Sequence, residues 1–386
     1  MLDLVINGRF LSQPATGVQR VAREFVRALD RLLGEGRLPH VQARLVAQDD
    51  ADPAPLELRH VTFDAAPGAR GHLWEQRVLP HHVRGGTLLC LGNSAPLANL
   101  LSDRPVGVML HDQAHLLFPR DYSRSYRLAH RLLEACIVRR ARPLILVSES
   151  ERHALAQRRS GLPPNAIVAP NGSWMDDRPV GFAPPASRLS SPRGYGLFVG
   201  TLNGRKNIDG IIATAVRLAR ERNHRFRFVG PQPDARSVAD RIPADLRPLI
   251  QFTGYAADGE LPELYRNAAY LLYPSFYEAS GLPPSEAMTF GCPVVASDLP
   301  VLRERCGAAA IYCNPHDPVS IHDAVAQILD HPERAAALTQ HGLEQASRFT
   351  WRRQALLIVE ALERASNTAL CHTGRRSTDI RPSAVP

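Results

Sequence analysis

Two glutamates, Glu278 and Glu286, lie on either side of a Ser-Gly-Leu-Pro-Pro segment and are separated by seven residues. The apolar run AAYLLYPS (268–275) comes before them and is typical of a buried strand. The two prolines suit the first turn of a helix over about 284–290, and Gly291 would end that helix. The stretch therefore predicts a strand, a turn and a short helix, with an acid near each end of the turn.

The turn itself could bind an anion. The backbone amides of Ser280, Gly281 and Leu282 would point out of the helix start, where the helix dipole favours negative charge. Gly281 also lacks the side chain that would block a close approach. An ordinary strand–turn–helix, in which Glu286 interacts with the dipole of the first turn, explains the same residues. The spacing leaves both interpretations open.

A second loop combines glycine with two cations. In GTLNGRKN (200–207), Gly200 and Gly204 bracket a turn after a strand, and Arg205 and Lys206 lead into the next helix. Lys206 is the only lysine in a sequence that otherwise uses arginine, and a compact ammonium fits where a point charge is needed. The loop lacks P-loop spacing. It could neutralise a diphosphate, or it could be a solvated basic turn.

The histidines and cysteines do not predict a metal site. His111 and His115 are four residues apart after a strand, but the pattern supplies no third ligand, so a polar histidine at the mouth of a cleft is the simpler interpretation. The six cysteines show no CxxC pair, which favours a reduced, cytosolic protein. The sequence also lacks the common hydrolase and dinucleotide-binding signatures.

The formal net charge is +8, and residues 1–190 hold 24 arginines against 18 acidic residues. A basic first half could favour phosphorylated substrates or an anionic membrane face. Without a Lys/Arg block or aromatic-basic interleaving, no nucleic-acid partner is expected. The sequence predicts no membrane span and no signal peptide.

Strand-like and helix-like segments alternate along the chain, which predicts an α/β protein with doubly wound parallel sheets. Strand-like runs lie at 2–6, 87–92, 105–110, 143–148, 195–200, 225–230, 249–254, 268–275, 292–297 and 308–313. A stretch rich in Pro, Ser and Gly interrupts the rhythm. The predicted division is a first domain (1–180), a linker (181–194), a second domain (195–350), a helix packing back across the hinge (351–366) and a loose tail (367–386).

Residues 278–296 read EASGLPPSEAMTFGCPVVA and resemble, at every fixed position, the E-x7-E signature of family 4 of the retaining GT-B glycosyltransferases. Further segments agree with the family in order: TGVQR (16–20), HDQAHLLFP (111–119), VSESERHAL (147–155), VAPNGS (168–173) and GTLNGRKNI (200–208). The resemblance covers nearly the whole chain except the tail. It implies a GT-B fold, in which two Rossmann-like domains face each other across a cleft. It looks most like bacterial polysaccharide or O-antigen mannosyl- and rhamnosyltransferases.

The resemblance also implies roles for single residues. Glu278 would hold hydroxyls of the donor sugar, and Glu286 would bind the ribose of the nucleotide. Lys206 and Arg205 would meet the diphosphate together with the amides of 280–282. The other implied contacts are His111 beside the donor sugar, Gly17 at the phosphate and acceptor, and Gly200, Thr201, Gly230, Gly254 and Tyr255 around the nucleotide. Many members carry an arginine where this chain has Thr201, so Arg205 is expected to substitute for it.

The expected function is a retaining, metal-independent transfer of a mannose-like hexose from a GDP- or UDP-sugar, with no other cofactor. The expected acceptor is a glycan or lipid-linked glycan in cell-surface polysaccharide synthesis, on the cytoplasmic side of the membrane and in peripheral contact with anionic lipid. One alternative is a GT-B sugar-nucleotide epimerase, which needs no acceptor. The other is a non-catalytic sugar-nucleotide binding protein.

Overall fold

The structure is a computed structural model that describes residues 1–14, 16–113, 117–118, 123–159, 161–174, 194–231, 240–257 and 259–376. The chain divides into two compact units. The first unit comprises Met1–Asn171 and the chain from Trp351 onward, and the second comprises Gly172–Thr350. Each unit is built on one parallel sheet.

The first unit contains a seven-stranded sheet in the order β3-β2-β1-β4-β5-β6-β7. The central strands are continuous apolar runs, as expected when helices cover both faces of a parallel sheet. The strands are β1 (Leu2–Asn7), β2 (Val41–Ala47), β3 (Thr62–Ala65), β4 (Thr87–Cys90), β5 (Val106–Leu110), β6 (Leu144–Leu146) and β7 (Ala166–Val168).

Helices connect these strands, and the last helix of the chain also belongs to this unit. They are α1 (Gly17–Gly34), α2 (Gly71–Arg77), α3 (Leu79–His82), α4 (Leu97–Leu100), α5 (Arg124–Arg140), α6 (Glu149–Arg159) and, at the C-terminal end, a long helix over Trp351–Arg376. That last helix packs on α1, where Arg352 Nη1 lies 2.6 Å from Glu35 Oε2. Its buried Gln354 donates to Asn171 Oδ1 at 2.8 Å. The first turns of this helix therefore pack within the first unit.

The second unit contains a six-stranded sheet in the order β10-β9-β8-β11-β12-β13. Aromatic side chains of three neighbouring strands, Phe198, Phe226, Phe228 and Tyr270, are fully buried in its core. The strands are β8 (Tyr195–Val199), β9 (Phe226–Val229), β10 (Ile250–Gly254), β11 (Ala268–Tyr273), β12 (Val294–Ser297) and β13 (Ala310–Cys313).

Helices lie between and after the parallel strands of the second unit. They are α7 (Ile208–Arg222), α8 (Leu261–Asn267), α9 (Leu282–Thr289), α10 (Pro300–Cys306), α11 (Pro318–Leu329) and α12 (Pro332–Ala346), so the helix at Trp351–Arg376 is α13. Within the residues that the structure describes, no helix is both long enough and apolar enough to span a bilayer.

The predicted α/β fold with doubly wound parallel sheets is confirmed. The predicted loose tail is wrong for 367–376, because α13 continues to Arg376. No proline interrupts this stretch, since the first one after Arg376 is Pro382. The second unit begins at Gly172 instead of 195, since the N–H of Ser173 donates to the carbonyl of Phe349 at 3.1 Å. Most of the predicted linker (181–193) and the end of the predicted tail (377–386) lie outside the described residues.

Three glycines meet at the carboxyl ends of β8, β9 and β10. The N–H of Gly230 donates to the carbonyl of Gly254 at 2.7 Å, and Gly230 has a φ of +137°. A Cβ atom on Gly230 would lie 2.1 Å from the carbonyl oxygen of Gly200. No side chain fits at this point, so the loops after β8 and β9 can approach each other only through glycine.

Replacing Gly230 with alanine should therefore destabilise the second unit, by roughly 2–4 kcal/mol, because the methyl group must displace backbone atoms and φ is unfavourable. Gly204→Ala is the control, since a Cβ atom at Gly204 meets no heavy atom within 4 Å. Urea unfolding followed by circular dichroism measures both variants. Equal midpoints for the two variants would show that the contact with Gly200 is not a constraint.

Candidate functional site

The loop that contains Lys206 is shaped by two asparagines. A 3-10 turn covers Gly204–Lys206, and the side chain of Asn203 accepts the N–H of Lys206 at 3.2 Å. Asn207 has a φ of +57°, and its Nδ2 donates to the carbonyl of Pro315 at 2.7 Å. Both asparagines hold the backbone in a tight turn. As a result, Lys206 is 8% exposed, with its side chain inside the protein.

Lys206 forms a buried ion pair with Glu278. Its Nζ lies 2.5 Å from Glu278 Oε1 and 2.6 Å from Tyr273 Oη, and it is 4.8 Å from the centre of the Tyr273 ring. Glu278 is also 8% exposed. Burial and the charge of Glu278 raise the pKa of Tyr273 well above its usual value, so the phenol stays protonated. The predicted site residues Lys206 and Glu278 are thus brought together, with a tyrosine that the sequence did not single out.

Arg205 joins this loop to the segment after β11. Its carbonyl accepts the N–H of Phe276 at 2.9 Å, and its guanidinium lies 5.9 Å from the centre of the Tyr277 ring. This backbone bond holds the loop of Lys206 against the segment that carries Glu278. The lysine and the glutamate, which are far apart in sequence, therefore belong to one local structure.

The second glutamate has a different environment. Helix α9 begins at Leu282, close to the predicted start, and Glu286 lies in its second turn with 3% exposure. Its Oε2 accepts a hydrogen bond from the hydroxyl of Tyr265 at 2.8 Å, and Tyr265 is fully buried on α8. Glu278 therefore lies against Lys206 and Tyr273, whereas Glu286 accepts from Tyr265.

The turn before α9 keeps its predicted form. Gly281 is the N-cap of the helix with a φ of +67°, a conformation that favours glycine. Pro283 and Pro284 have no N–H, so they remove two of the amides that a helix start normally offers. Ser280, Gly281 and Leu282 each have an N–H, and these are the amides that the sequence predicts to meet an anion.

The other predicted nucleotide contacts lie at the same edge of the sheet. Gly200, Gly230 and Gly254 lie at the carboxyl ends of β8, β9 and β10, and β8 is the neighbour of β11 in the sheet. Thr201 is exposed, and Tyr255 is 65% exposed. The carboxyl edge of a parallel sheet is where ligands bind in open α/β folds.

His111 lies in the first unit at the end of β5 and is 5% exposed. Its Nε2 is 2.7 Å from the carbonyl of Leu91, and its N–H donates to Asn93 Oδ1 at 2.6 Å. Burial lowers the pKa of His111, so the ring is neutral at neutral pH. Because a carbonyl only accepts, Nε2 carries the proton and Nδ1 is an acceptor.

Gly17 is the first residue of α1, after the N-cap Thr16. A Cβ atom at Gly17 would meet no heavy atom within 4 Å. The fold of the first unit therefore does not require glycine at this position. His115 lies outside the described residues, and the residues that are described contain no group of three metal-binding side chains.

Residues 184–345, which contain the Lys206 loop and both glutamates, match the family model described as Glycosyl transferases group 1. This match covers less than half of the chain. The O-antigen chain mannosyltransferase B of Escherichia coli is 35% identical over 165 residues, which is 41% of this chain and 43% of that relative. The chain thus spans less than half the length of this curated relative.

Solved glycosyltransferase structures share the fold over almost the whole chain. Sucrose-phosphate synthase from Thermosynechococcus elongatus has a TM-score of 0.74 at 18% identity and covers 94% of this chain and 99% of its own. Anabaena Alr3699/HepE, solved in complex with UDP and glucose, has a TM-score of 0.72 at 17% identity and covers 94% and 100%. With the two parallel sheets, these likenesses confirm the predicted GT-B fold. The group 1 match agrees with the family that the E-x7-E motif indicated.

The ion pair between Lys206 and Glu278 leads to a stability prediction. Lys206→Met leaves a buried carboxylate without its cation, which should lower the free energy of unfolding by roughly 3–5 kcal/mol. Glu278→Gln leaves a buried ammonium without its anion and should also destabilise the protein. The double variant should lose less than the sum of the two, because both charges leave together. Urea unfolding of the four proteins measures this coupling. The exposed Arg217–Glu221 pair on α7 is the control, and Arg217→Met should have little effect. Additive losses at Lys206 and Glu278 would contradict the pair.

Proposed function

We propose that the protein is a glycosyltransferase that moves a mannose-like hexose from a nucleoside-diphosphate sugar to a glycan of the cell surface. The observation that carries the proposal is the buried lysine–glutamate pair beside the turn at Ser280–Leu282, within the group 1 region. The likeness to an O-antigen mannosyltransferase over 165 residues supports mannose as the sugar. The donor is GDP- or UDP-linked.

The chemistry follows from the charges at the turn. As the glycosidic bond of the donor breaks, negative charge develops on the nucleoside diphosphate that leaves. Lys206, Arg205 and the amides of 280–282 are placed to stabilise that charge. These cations supply the role that a metal ion has in other glycosyltransferases, so we propose a metal-independent reaction without a further cofactor.

Glu278 and Lys206 exchange partners in this proposal. When the diphosphate binds Lys206, Glu278 is released to accept hydrogen bonds from hydroxyls of the donor sugar. Glu286, held by Tyr265, accepts from the ribose. His111 offers a neutral acceptor nitrogen for a sugar hydroxyl. Neither glutamate acts as a nucleophile. Retention of configuration then follows from attack on the same face as the leaving group, with the departing phosphate accepting the proton of the acceptor hydroxyl.

The acceptor is proposed to be a lipid-linked glycan at the cytoplasmic face of an anionic membrane. Helices α4 and α5 pack against each other, and the exposed leucines Leu101, Leu128 and Leu132 lie on them or at their ends. Leu128 and Leu132 share one face of α5 with the exposed Arg124 and Arg131. Leucines flanked by arginines on an exposed helix suit the interface of an anionic bilayer.

Nucleotide binding and turnover should respond differently to the two glutamates. Glu286→Ala should weaken binding of UDP or GDP roughly tenfold, because a charged hydrogen bond to the ribose is lost. Glu278→Ala should mainly lower turnover. Calorimetry with UDP and GDP, and product analysis with UDP- and GDP-sugars, measure the two effects, with Glu263→Ala as a control on the exposed face of α8.

The same assays separate the alternatives. If neither UDP nor GDP binds, the proposed function is wrong. Conversion of the donor sugar without an acceptor would indicate an epimerase. Binding without any turnover of the tested donors and acceptors would indicate a sugar-nucleotide binding protein.

Membrane contact has its own test. The wild type should float with vesicles of phosphatidylglycerol and much less with vesicles of phosphatidylcholine. Replacing Leu128 and Leu132 together by serine should reduce the bound fraction roughly tenfold, because two leucine side chains no longer insert into the bilayer. Val319→Ser, at a residue that is 55% exposed on α11, is the control. Equal binding of the leucine variant and the wild type would refute this surface.

A further inference from the structure

We infer that Arg305 is a positioning residue that orients the Ser280–Gly281 peptide for anion binding at the start of α9. Arg305 lies on α10, outside the E-x7-E motif and outside every loop that the sequence singled out. Its Nε donates to the carbonyl of Ser280 at 2.8 Å, and its Nη2 donates to Ser280 Oγ at 2.9 Å. The inference rests on the proposed function, in which this turn binds a diphosphate.

The geometry of a trans peptide gives Arg305 its effect. In such a peptide the C=O of one residue and the N–H of the next point in opposite directions. Since the carbonyl of Ser280 points to Arg305, the N–H of Gly281 points away from α10. One guanidinium thus fixes the direction of an amide that it does not touch.

The hydrogen bond also strengthens that amide as a donor. A peptide whose carbonyl accepts a bond from a charged group is polarised, and its N–H then donates more strongly. Arg305 is 3% exposed, so this effect is little screened by water. Burial lowers the pKa of Arg305 to about 10, and the side chain therefore remains charged at neutral pH.

The position of Arg305 is fixed from several sides. Its guanidinium lies 4.3 Å from the centre of the Phe349 ring, and its carbonyl accepts a hydrogen bond from Gln345 Nε2 at 3.1 Å. A Cβ atom on Gly281 would lie 2.9 Å from Leu302 Cδ2, so the turn rests directly on α10. A rigid support of this kind is what a preorganised anion site requires.

The test compares nucleotides that differ by one phosphate. Arg305→Met should weaken binding of UDP or GDP roughly tenfold, while binding of UMP or GMP should change much less. Arg303→Met is the matched control, because Arg303 lies on the same helix but pairs with the exposed Asp298. If Arg305→Met weakens the binding of diphosphates and monophosphates equally, or changes neither, Arg305 only supports the fold and the inference is wrong.

Arg305→Lys separates charge from geometry. A buried lysine has a lowered pKa, so it loses its charge as the pH rises, whereas the arginine keeps its charge. The affinity of Arg305→Lys for UDP or GDP, relative to the wild type at the same pH, should therefore fall between pH 6 and pH 9. If Arg305→Lys binds UDP or GDP as tightly as the wild type over this whole pH range, the charge and the fork geometry of Arg305 are both unnecessary.

A measurement without nucleotide keeps the inference separate from the proposed function. Amide hydrogen exchange of the peptide that contains 280–282 should be faster in Arg305→Met than in the wild type and in Arg303→Met. If the wild type binds no nucleotide but this exchange difference appears, the proposed function fails and the positioning role stands. If exchange is unchanged, the positioning role is refuted whatever binds.

Discussion

The buried ammonium of Lys206 constrains everything around it. A lysine that is 8% exposed needs a negative partner and further hydrogen bonds, because removing a charge from water costs several kcal/mol. Glu278 and Tyr273 provide both, and the loop of Asn203–Asn207 holds the lysine where they can reach it. In the proposed function, this pair also selects the ligand. A ligand can take the lysine from Glu278 only if it returns a comparable charge, which a diphosphate can do and a neutral sugar cannot.

The backbone of the site is arranged for close approach. A Cβ atom on Gly230 would collide with the carbonyl of Gly200, so no side chain fits between the loops after β8 and β9 at this point. After β11, which lies next to β8, the two prolines of α9 remove amides from the helix start. The helix start therefore offers fewer amides than usual, so the proposed binding of a diphosphate depends more on Lys206, Arg205 and the peptide held by Arg305.

Much of the fold follows from local sequence patterns. Continuous apolar runs mark strands buried on both faces, so β1, β4, β5, β6 and the strands of the second unit could be predicted. Three strands of the first sheet, β2, β3 and β7, could not. In β2 buried and exposed residues alternate at first, and β3 and β7, at the sheet edges, have only four and three residues. Short edge strands bury too little apolar surface to stand out from loops.

Part of the site could also be predicted from a local sequence pattern. The motif places Glu278 and Glu286 around a helix start, and the structure keeps them there. Their partners could not be read from the motif, because Tyr273 and Tyr265 lie before it on β11 and α8, and Lys206 reaches Glu278 only through the pairing of β8 with β11. Arg305 is further from prediction, since an arginine on a short helix carries no pattern of its own.

The separate partners explain how two acids can lie beside an anion site. Glu278 is bound to a cation that a ligand can compete for, so its carboxylate can change partners when a ligand arrives. Glu286 accepts a hydrogen bond from a fully buried tyrosine on α8, so it is held in place. One acid is therefore suited to a contact that forms during binding, and the other to a contact that is ready beforehand. A pair of carboxylates that worked together on one atom would need a shared environment, and here the environments differ.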